Sequence, residues 1–378
     1  MPRHEVVVVG AGPAGLAAAA GLRRSGLDPL VLDRADSVGS AWRTRYDSFV
    51  LHTIRWLSGL PGRPIPRALG PWVSRDDFLR YLEGYAEHFD LRPRLGIELR
   101  ALTRIDDGWL ATTSEGELEA RHLVLATGAF NDPHIPDWPG RQDFSPPLTH
   151  SSAYRSPAPY ANSTVLVVGS GNSGTEVAVD LASTGDITVE LAVRTPPNIL
   201  LRDAWGVPTQ PLGIALRPVP PVIIDPLVAV LRRLTIPDLT SSGLPAPPKP
   251  YSQFRRTGTI PVLDHGFVTA VQEGRIRIRA GVDRLDAADV VYDDGTRSQP
   301  DAVIAATGYR TGLGPILGPL GLLDERTMPT IGSHGGTGKA DNLYVVGFAI
   351  LLSGYLREIV RDTRQVTAAI SQDRTTKS

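Results

Sequence analysis

Two glycine-rich segments have the spacing of dinucleotide-binding turns. Residues 10–15 read GAGPAG and residues 169–174 read GSGNSG, so each matches G-x-G-x-x-G. In such a turn the backbone N–H groups and the start of the next helix bind a pyrophosphate, while the glycines allow a tight bend and a close approach. One match alone is a weak signal. Here each segment follows a predicted strand and precedes a predicted helix, and we therefore predict two dinucleotide sites.

The residues at the ends of the next strands differ between the two segments. Asp33 lies eighteen residues after Gly15, where a carboxylate accepts hydrogen bonds from an adenosine ribose with free hydroxyls. FAD and NAD both carry such a ribose. Arg194 lies twenty residues after Gly174, where a guanidinium pairs with a 2′-phosphate, the group that distinguishes NADP. The alternative interpretations are a solvated loop carboxylate at Asp33 and a surface charge at Arg194.

The elements that would position these residues occur twice along the chain. Each glycine segment is framed by a predicted strand, helix and strand: residues 5–9, 16–24 and 29–32 for the first, and 164–168, 175–183 and 187–193 for the second. Two further strands, at 123–128 and 302–308, each end in Ala-Thr-Gly. Small residues at a strand end let the backbone come close to a ligand.

The second half of the chain contains an insertion and a terminal strand and helix. Residues 196–250 hold thirteen of the 33 prolines, which excludes one regular sheet or one long helix. Within this stretch, residues 222–234 predict a short amphipathic helix that covers a cavity, lies on a surface or packs on its own domain. A strand at 343–346 ends in Gly347-Phe348 and precedes a helix at 355–370 with a polar, frayed tail.

Composition excludes several classes of protein. With 378 residues the chain is long enough for two domains, and its formal net charge of -1 gives no field that attracts nucleic acid or a membrane surface. It has no cysteine, which excludes disulfides, thiolate metal ligands and a redox-active dithiol. No apolar run reaches the roughly 18 residues of a transmembrane helix, and no signal-peptide cleavage pattern is evident. We expect a cytoplasmic protein.

Further landmarks extend over nearly the whole chain. They are VGSAW at 38–42, LHT at 51–53, DFLRYL at 77–82, TIPVLD at 259–264, and both Ala-Thr-Gly strands, the second followed by Tyr309. Together with the glycine turns, they resemble the flavin-containing monooxygenase family, most closely its branch of plant indole-3-pyruvate monooxygenases and their bacterial relatives.

The linker signature of that family, F-x-G-x-x-x-H-x-x-x-Y, matches only in part. Phe144, His150 and Tyr154 stand at its spacing, but Pro146 replaces the glycine and fixes the backbone where glycine would be free. Related Baeyer–Villiger enzymes share the layout and usually have Trp at the position of Tyr154.

The resemblance implies a mechanism and an architecture. NADPH reduces FAD, O₂ adds at flavin C4a, and the peroxide oxygen passes to a small organic substrate, such as a 2-oxo acid that is oxidatively decarboxylated, while NADP⁺ stays bound. The fold class is α/β, a doubly wound FAD domain with an inserted, smaller NADPH domain. We place the FAD domain at 1–157 and 286–378 and the NADPH domain at 158–285, and we expect residues 302–308 to complete the first sheet.

The predicted site combines the two turns with the strand ends. The resemblance puts His52 where the family often has an asparagine near flavin C4a, so that it donates a hydrogen bond or titrates near neutrality; the alternative is a partly buried histidine bonded to backbone. The other predicted cofactor-binding residues are Gly10, Gly12, Pro13, Ala14, Gly15, Asp33, Arg34, Ser40, Trp42, Ala126, Thr127, Gly128, Gly169, Gly171, Asn172, Ser173, Gly174, Arg194, Thr195, Ala306, Thr307, Gly308, Gly347 and Phe348.

Three alternative functions keep both glycine turns. They are a thiol-free FAD-dependent reductase that passes NAD(P)H electrons to a protein partner, a Baeyer–Villiger oxygenase, and a non-catalytic dinucleotide-binding protein. No set of histidines and carboxylates has metal-ligand spacing, and no G-x-S-x-G elbow appears. We expect FAD, NADPH, O₂ and a small-molecule substrate as partners, with no metal, no nucleic acid and no membrane span.

Overall fold

The chain folds into two compact units. The computed structural model describes residues 2–204, 207–215, 219–247, 260–351 and 353–376. The first unit comprises residues 1–44, 49–132 and 309–378, and the second comprises residues 45–48 and 133–308. The chain thus leaves the first unit, builds the second and returns, as the prediction of an inserted domain requires.

The first unit contains both short and long elements around one sheet. Numbered along the whole chain, its elements are β1 (Arg3–Val9), α1 (Pro13–Arg24), β2 (Leu30–Leu32), α2 (Ser40–Arg43), α3 (Arg55–Ser58), α4 (Arg75–His88), β3 (Leu99–Ile105), β4 (Gly108–Thr113), β5 (Gly116–Leu125), β6 (Asp132–Pro133) at the crossing to the second unit, β19 (Tyr309–Arg310), α9 (Gly314–Leu317), β20 (Leu343–Val345) and α10 (Tyr355–Thr376).

The sheet of the first unit is parallel at its centre and antiparallel at one side. β1 pairs in parallel with β2 and β5, and its residues Val6–Val9 are buried because both faces of the sheet are covered. One edge of β5 serves two partners: residues 116–120 pair antiparallel with β4, and residues 123–125 pair in parallel with β20. The ends of β1, β5 and β20 therefore lie side by side.

The second unit is built around a five-stranded parallel sheet. Its elements are β7 (Leu148–His150), β8 (Thr164–Val168), α5 (Asn172–Ala182), β9 (Thr188–Ala192), β10 (Ile199–Leu201), β11 (Asp203–Ala204), β12 (Val207–Pro208), α6 (Gln210–Ala215), α7 (Pro221–Thr235), β13 (Val262–Asp264), α8 (Phe267–Gln272), β14 (Ile276–Arg279), β15 (Val282–Asp286), β16 (Asp289–Tyr292), β17 (Arg297–Ser298) and β18 (Ala302–Ala305). The strand order of the main sheet is β14-β9-β8-β18-β7.

The prediction that residues 302–308 complete the first sheet is wrong. β18 pairs in parallel with β8 and β7, so it belongs to the sheet of the second unit. The strand that completes the first sheet is β20, with Leu343 opposite Leu123. Both β18 and β20 are short apolar strands followed by a glycine, and their sequences do not distinguish the two sheets.

The predicted domain boundaries also differ from the units. The main segment of the second unit begins at Pro133 rather than at residue 158, because β7 pairs with β18 inside it. It ends at Gly308 rather than at residue 285. A boundary at 285/286 would divide the hairpin of β15 and β16, in which Leu285 is paired with Val290.

The proline-rich insertion contains the predicted amphipathic helix as α7. Ile224 is buried at 1% exposure, whereas Leu227 is 49% and Leu234 is 78% exposed, so one apolar side packs on the unit and another does not. Other parts of the insertion, and Thr259 of the TIPVLD landmark, fall on residues 205–206, 216–218 and 248–259 and lie outside the described residues. The terminal helix α10 extends to Thr376, beyond the predicted end at residue 370.

Over the described ranges, no helix combines the length and apolar character that crossing a membrane requires.

His150 joins two strand ends of the second unit as a neutral imidazole. Its Nε2 lies 2.9 Å from the Gly308 carbonyl oxygen, which can only accept, so Nε2 carries the proton. Its Nδ1 accepts from the backbone N–H of Ser152 at 3.1 Å. Burial lowers the pKa of His150, because a second proton would place a desolvated charge there, and the nearby Arg45 charge lowers it further.

This arrangement predicts a loss of stability in mild acid. Because the folded-state pKa of His150 is depressed, its contribution is present above the unfolded-state value of about 6.5 and is lost as the pH falls through the folded-state pKa. We expect His150→Gln to reduce the slope of the unfolding free energy against pH between about pH 7 and pH 5. One proton contributes at most about 1.4 kcal/mol per pH unit to this slope. Urea titrations at several pH values measure it. The exposed-site variant His88→Gln is the control, and equal slopes for wild type and His150→Gln would contradict the assignment.

Candidate functional site

The two glycine turns have nearly the same backbone geometry. Gly10 has φ of 117° and Gly169 has φ of 114°, a region that favours glycine. The N–H of Gly10 donates to the Leu32 carbonyl at 2.7 Å, and that of Gly169 donates to the Ala192 carbonyl at 3.0 Å. Each turn is thus tied to the end of the neighbouring parallel strand.

The first glycine of each turn is packed against an Ala-Thr-Gly strand end. A Cβ on Gly10 would lie 2.4 Å from the Ala126 carbonyl oxygen, and a Cβ on Gly169 would lie 2.5 Å from that of Ala306. The third glycine packs on the turn itself, since a Cβ on Gly15 would lie 1.8 Å from the Gly10 oxygen. The distance for Gly174, to the Gly169 oxygen, is also 1.8 Å. Neither position admits a side chain.

The second glycine of each turn faces open space. A Cβ on Gly12 or on Gly171 would have nothing within 4 Å. Both residues are N-caps with extended backbone, at the starts of α1 and α5, and no side chain caps either helix. The backbone N–H groups in the first helical turn of α1 and of α5 therefore have no side-chain acceptor within the described residues. They face the region that an approaching phosphate would use. Both turns fit the pyrophosphate of a dinucleotide.

The first residues of the two helices contribute differently. Pro13 begins α1, where its fixed φ suits a helix start and its missing N–H costs no hydrogen bond; Ala14 is buried behind it. In α5 the backbone of Asn172 and Ser173 occupies the corresponding positions. The side chain of Asn172 is engaged elsewhere: its Oδ1 accepts from the Leu263 N–H at 2.9 Å and its Nδ2 donates to the Pro261 carbonyl at 3.4 Å. Only the backbone of Asn172 points to a phosphate-binding role.

Asp33 lies at the end of β2, directly beside the first turn. Its Oδ2 accepts from the Ala11 N–H at 2.5 Å and its Oδ1 accepts from the Ala35 N–H at 2.8 Å. These bonds orient the carboxylate and leave further lone pairs on both oxygens for ribose hydroxyls. The neighbouring Arg34 is exposed and donates to Asn131 Oδ1 at 3.0 Å.

Arg194 lies at the end of β9, beside the second turn. It is exposed, and among the described residues no hydrogen bond or ion pair engages its guanidinium. The turn is closed on this side by Ser170, whose Oγ donates to the Thr195 carbonyl at 3.1 Å. An exposed guanidinium without a protein acceptor, next to a phosphate-binding turn, suits a 2′-phosphate.

The two Ala-Thr-Gly strand ends differ in whether the threonine hydroxyl is hydrogen-bonded. Thr307 Oγ1 donates to the His134 carbonyl at 2.5 Å, and the next residue, Gly308, accepts from the His134 N–H at 3.0 Å. Thr127 Oγ1 is buried and has no hydrogen-bond partner within the described residues. A buried hydroxyl without a partner is costly, which indicates that a ligand at the first site would complete it.

The segment after β2 carries three predicted residues, one of which lies against the first turn. The N–H of Gly39 donates to the Ala11 carbonyl at 3.1 Å, which places Ser40 and α2 against the turn. The Trp42 ring packs on Phe78 at a centroid distance of 4.7 Å. His52 lies further along, half-buried, with its ring 5.4 Å from that of Phe49.

One face of α5 anchors other segments of the second unit, a role that the sequence analysis missed. Besides Asn172, the face carries Glu176 and Asp180 at i+4 and i+8. Glu176 accepts from the hydroxyl of Tyr46, and Asp180 accepts from that of Tyr154 at 2.7 Å. Burial raises the pKa of both tyrosines, with the carboxylates adding to the shift, so both hydroxyls stay protonated donors.

Gly347 lies where β20 ends, beside the first turn. A Cβ on it would lie 2.9 Å from Ala14 Cβ, and its φ is 79°. The side chain of Phe348 points into the core of the first unit, so only its backbone is available to a cofactor. Two residues that the sequence analysis missed hold Gly347. Tyr355 Oη donates to the Gly347 carbonyl at 2.8 Å, and the Gly347 N–H donates to Asp362 at 3.1 Å.

Searching the described part of the chain finds no group of three or more His, Cys, Asp or Glu side chains that could hold a metal ion.

Plant enzymes are similar to this chain over most of its length. It is 37% identical over 352 residues to indole-3-pyruvate monooxygenase YUCCA1 of Oryza sativa subsp. japonica, covering 90% of this chain and 86% of the relative. It is 35% identical to probable indole-3-pyruvate monooxygenase YUCCA7 of Arabidopsis thaliana, covering 90% of this chain and 82% of the relative.

Solved structures share the fold. A Gln→Arg, His→Thr double mutant of the flavin monooxygenase from Stenotrophomonas maltophilia is 25% identical, with a TM-score of 0.73 over 97% of this chain and 99% of that one. A cyclohexanone monooxygenase bound to epsilon-caprolactone has a TM-score of 0.75 at 19% identity, over 100% of this chain and 89% of that one, which shows the fold alone.

Residues 7–199 match the family model described as pyridine nucleotide-disulphide oxidoreductase. The disulphide part of that description has no counterpart here, since the sequence contains no cysteine. The predicted resemblance is confirmed by the relatives, and the two-dinucleotide fold by the solved structures. This chain belongs to the pyridine nucleotide-disulphide oxidoreductase family and, within it, to the flavin-dependent monooxygenases that include the indole-3-pyruvate monooxygenases.

Proposed function

We propose that this protein is an NADPH- and FAD-dependent monooxygenase that converts a 2-oxo acid of the indole-3-pyruvate type to the acid one carbon shorter. The observation that carries the proposal is the pair of open glycine turns with different neighbours, a carboxylate at Asp33 and an exposed guanidinium at Arg194. Two different dinucleotides in one chain permit a hydride relay, and the absence of cysteine removes a dithiol as its acceptor. The names of the relatives supply the substrate class.

Each turn has a distinct task in this proposal. The turn at 10–15 holds the FAD pyrophosphate, Asp33 accepts from the FAD ribose, and the Thr127 hydroxyl completes its hydrogen bonding on FAD. The turn at 169–174 holds the NADPH pyrophosphate, and Arg194 pairs with the 2′-phosphate. FAD bound at the first turn would supply the redox chemistry between NADPH and O₂.

The reaction balances without any other reactant. A 2-oxo acid, O₂, NADPH and a proton yield the shortened acid, CO₂, water and NADP⁺. The C–C bond between the two carbonyl carbons breaks, and one oxygen atom of O₂ enters the new carboxylate while the other leaves as water. His52 is our candidate for the residue that supplies or holds a proton near the reacting atoms. A cytoplasmic location stays a prediction from the sequence.

The proposed function is tested with ¹⁸O₂ and indole-3-pyruvate. We expect anaerobic NADPH to bleach the bound flavin, and aerobic turnover to give indole-3-acetate with one labelled oxygen per molecule, measured by mass spectrometry. If the flavin bleaches but electrons pass only to an added acceptor protein, the reductase alternative is correct. If a ketone panel is converted to esters and the 2-oxo acid is not, the Baeyer–Villiger alternative is correct. A flavin that NADPH never bleaches excludes all three enzymes.

Gly12→Ala separates cofactor binding from folding. Its Cβ meets nothing within 4 Å and its φ of -81° suits alanine, so the chain should fold with an unchanged unfolding temperature after FAD removal. The added methyl occupies the space of the FAD pyrophosphate, and we expect about 10- to 100-fold weaker FAD binding, measured by fluorescence titration.

The matched variant Gly15→Ala should instead fail to fold, because its Cβ lies 1.8 Å from the Gly10 oxygen. Wild-type FAD affinity in Gly12→Ala would rule out the turn as the FAD site.

Arg194→Ala tests the assignment of NADPH to the second turn. Charge-assisted hydrogen bonds are worth about 1.5–3 kcal/mol, so we expect the KM for NADPH to rise about 10- to 100-fold while that for NADH is unchanged. Arg284→Ala, at another exposed arginine of the second unit, is the control. An unchanged NADPH/NADH ratio in Arg194→Ala would refute this role.

A further inference from the structure

The hydroxyl of Tyr355 lies between two glycine turns of the first unit. Tyr355 is the first residue of α10, and its Oη donates to the Gly347 carbonyl at 2.8 Å. A Cβ on Gly347 would lie 3.3 Å from the same oxygen, and one on Gly128 would lie 3.6 Å from it. These two glycines follow β20 and β5, which are paired strands. The Tyr355 hydroxyl therefore hydrogen-bonds the end of one strand and lies close to the end of the other.

Both glycines border the first dinucleotide turn. The strand β5 is also paired with β1, and the carbonyl of Ala126, two residues before Gly128, lies against Gly10. Gly347 packs against Ala14, in the first turn of α1. Thr127, between Ala126 and Gly128, has the buried hydroxyl without a partner in the described chain. This unsatisfied group points to a ligand at the end of β5, close to the Tyr355 hydroxyl.

Side chains of helix α10 hydrogen-bond both the N–H and the carbonyl of Gly347. Tyr355, Ile359 and Asp362 stand at i, i+4 and i+7 and so share one face of the helix. Tyr355 donates to the carbonyl, Asp362 accepts from the N–H at 3.1 Å, and Ile359 Cγ1 lies 3.4 Å from the position of a Cβ. Gly347 has a left-handed backbone, with φ of 79°. Because glycine has no side chain, the contacts from α10 are made to its backbone.

The ring of Tyr355 has a separate contact. Its centroid lies 5.9 Å from that of Phe130, two residues after Gly128, and Phe130 is 40% exposed. Replacing tyrosine by phenylalanine keeps this ring contact and removes only the hydroxyl. The two contributions of the residue can therefore be separated by experiment.

We propose that Tyr355 is a positioning residue for FAD, whose hydroxyl holds the Gly347 turn in the place, close to Gly128, that retains the cofactor. The proposal rests on the proposed function, because it takes the first turn as the FAD site. Tyr355 acts through the Gly347 turn, and it needs no contact with the reacting atoms.

The test measures FAD retention by the holoprotein of Tyr355→Phe. A single hydrogen bond contributes about 0.5–1.5 kcal/mol net, so we expect the FAD dissociation constant, from fluorescence of flavin released on dilution, to rise about three- to tenfold. Tyr344→Phe is the matched control: it removes another buried hydroxyl of the first unit, which lies 3.3 Å from His122 Nδ1 and makes no hydrogen bond to Gly347. Its dissociation constant should equal that of the wild type.

The unfolding temperature after FAD removal distinguishes positioning from general destabilisation. We expect Tyr355→Phe and Tyr344→Phe to lower it to a similar, small extent, with only Tyr355→Phe losing FAD affinity. Unchanged FAD affinity in Tyr355→Phe, or an equal loss in both variants, would overturn the proposal while leaving the proposed function intact. If the wild-type protein binds no FAD at all, the proposed function fails, and the role of Tyr355 fails with it.

Discussion

Both halves of the molecule depend on one kind of contact. The Cα of a glycine packs against the carbonyl of an alanine at the end of a neighbouring strand. It occurs between Gly10 and Ala126 and again between Gly169 and Ala306, and in both places a Cβ would come within 2.5 Å of the carbonyl oxygen. The contact fixes the turn against the sheet and aims the helix start outward. It also leaves the second glycine of each turn, Gly12 or Gly171, facing open space.

Differences between the two copies support the proposal that they bind different ligands. At the first turn, the Asp33 carboxylate accepts from the turn backbone and Thr127 has a buried hydroxyl that awaits an acceptor or donor. At the second, Arg194 is exposed and the corresponding hydroxyl, Thr307, is bonded to His134. The first site therefore favours a cofactor that stays bound and completes a buried group, and the second favours one that exchanges. A tightly held FAD and a turnover NADPH have these requirements.

The sequence was informative where a residue type is required by geometry. Only glycine fits at Gly10, Gly15 and their counterparts, so the turns, the flanking strands and the helices were predicted closely, and the absence of cysteine was decisive without any structure. The side chains that position those turns carry no local pattern. Glu176 accepts from Tyr46, 130 residues earlier in the chain, and Tyr355 donates to Gly347, 8 residues earlier. Nothing in the immediate neighbours of Glu176 or Tyr355 indicates these partners. The assignment of β18 to the wrong sheet has the same origin, because parallel pairing between distant apolar strands leaves no mark in either sequence.

We propose that the first turn binds FAD and that the second binds NADPH. A crystal structure of the protein with FAD and NADP⁺ bound tests it most directly. We expect the FAD pyrophosphate against Gly12 with its ribose on Asp33, and the NADP⁺ 2′-phosphate within hydrogen-bonding distance of the Arg194 guanidinium. FAD on the turn at 169–174, or a 2′-phosphate in solvent away from Arg194, would contradict the account.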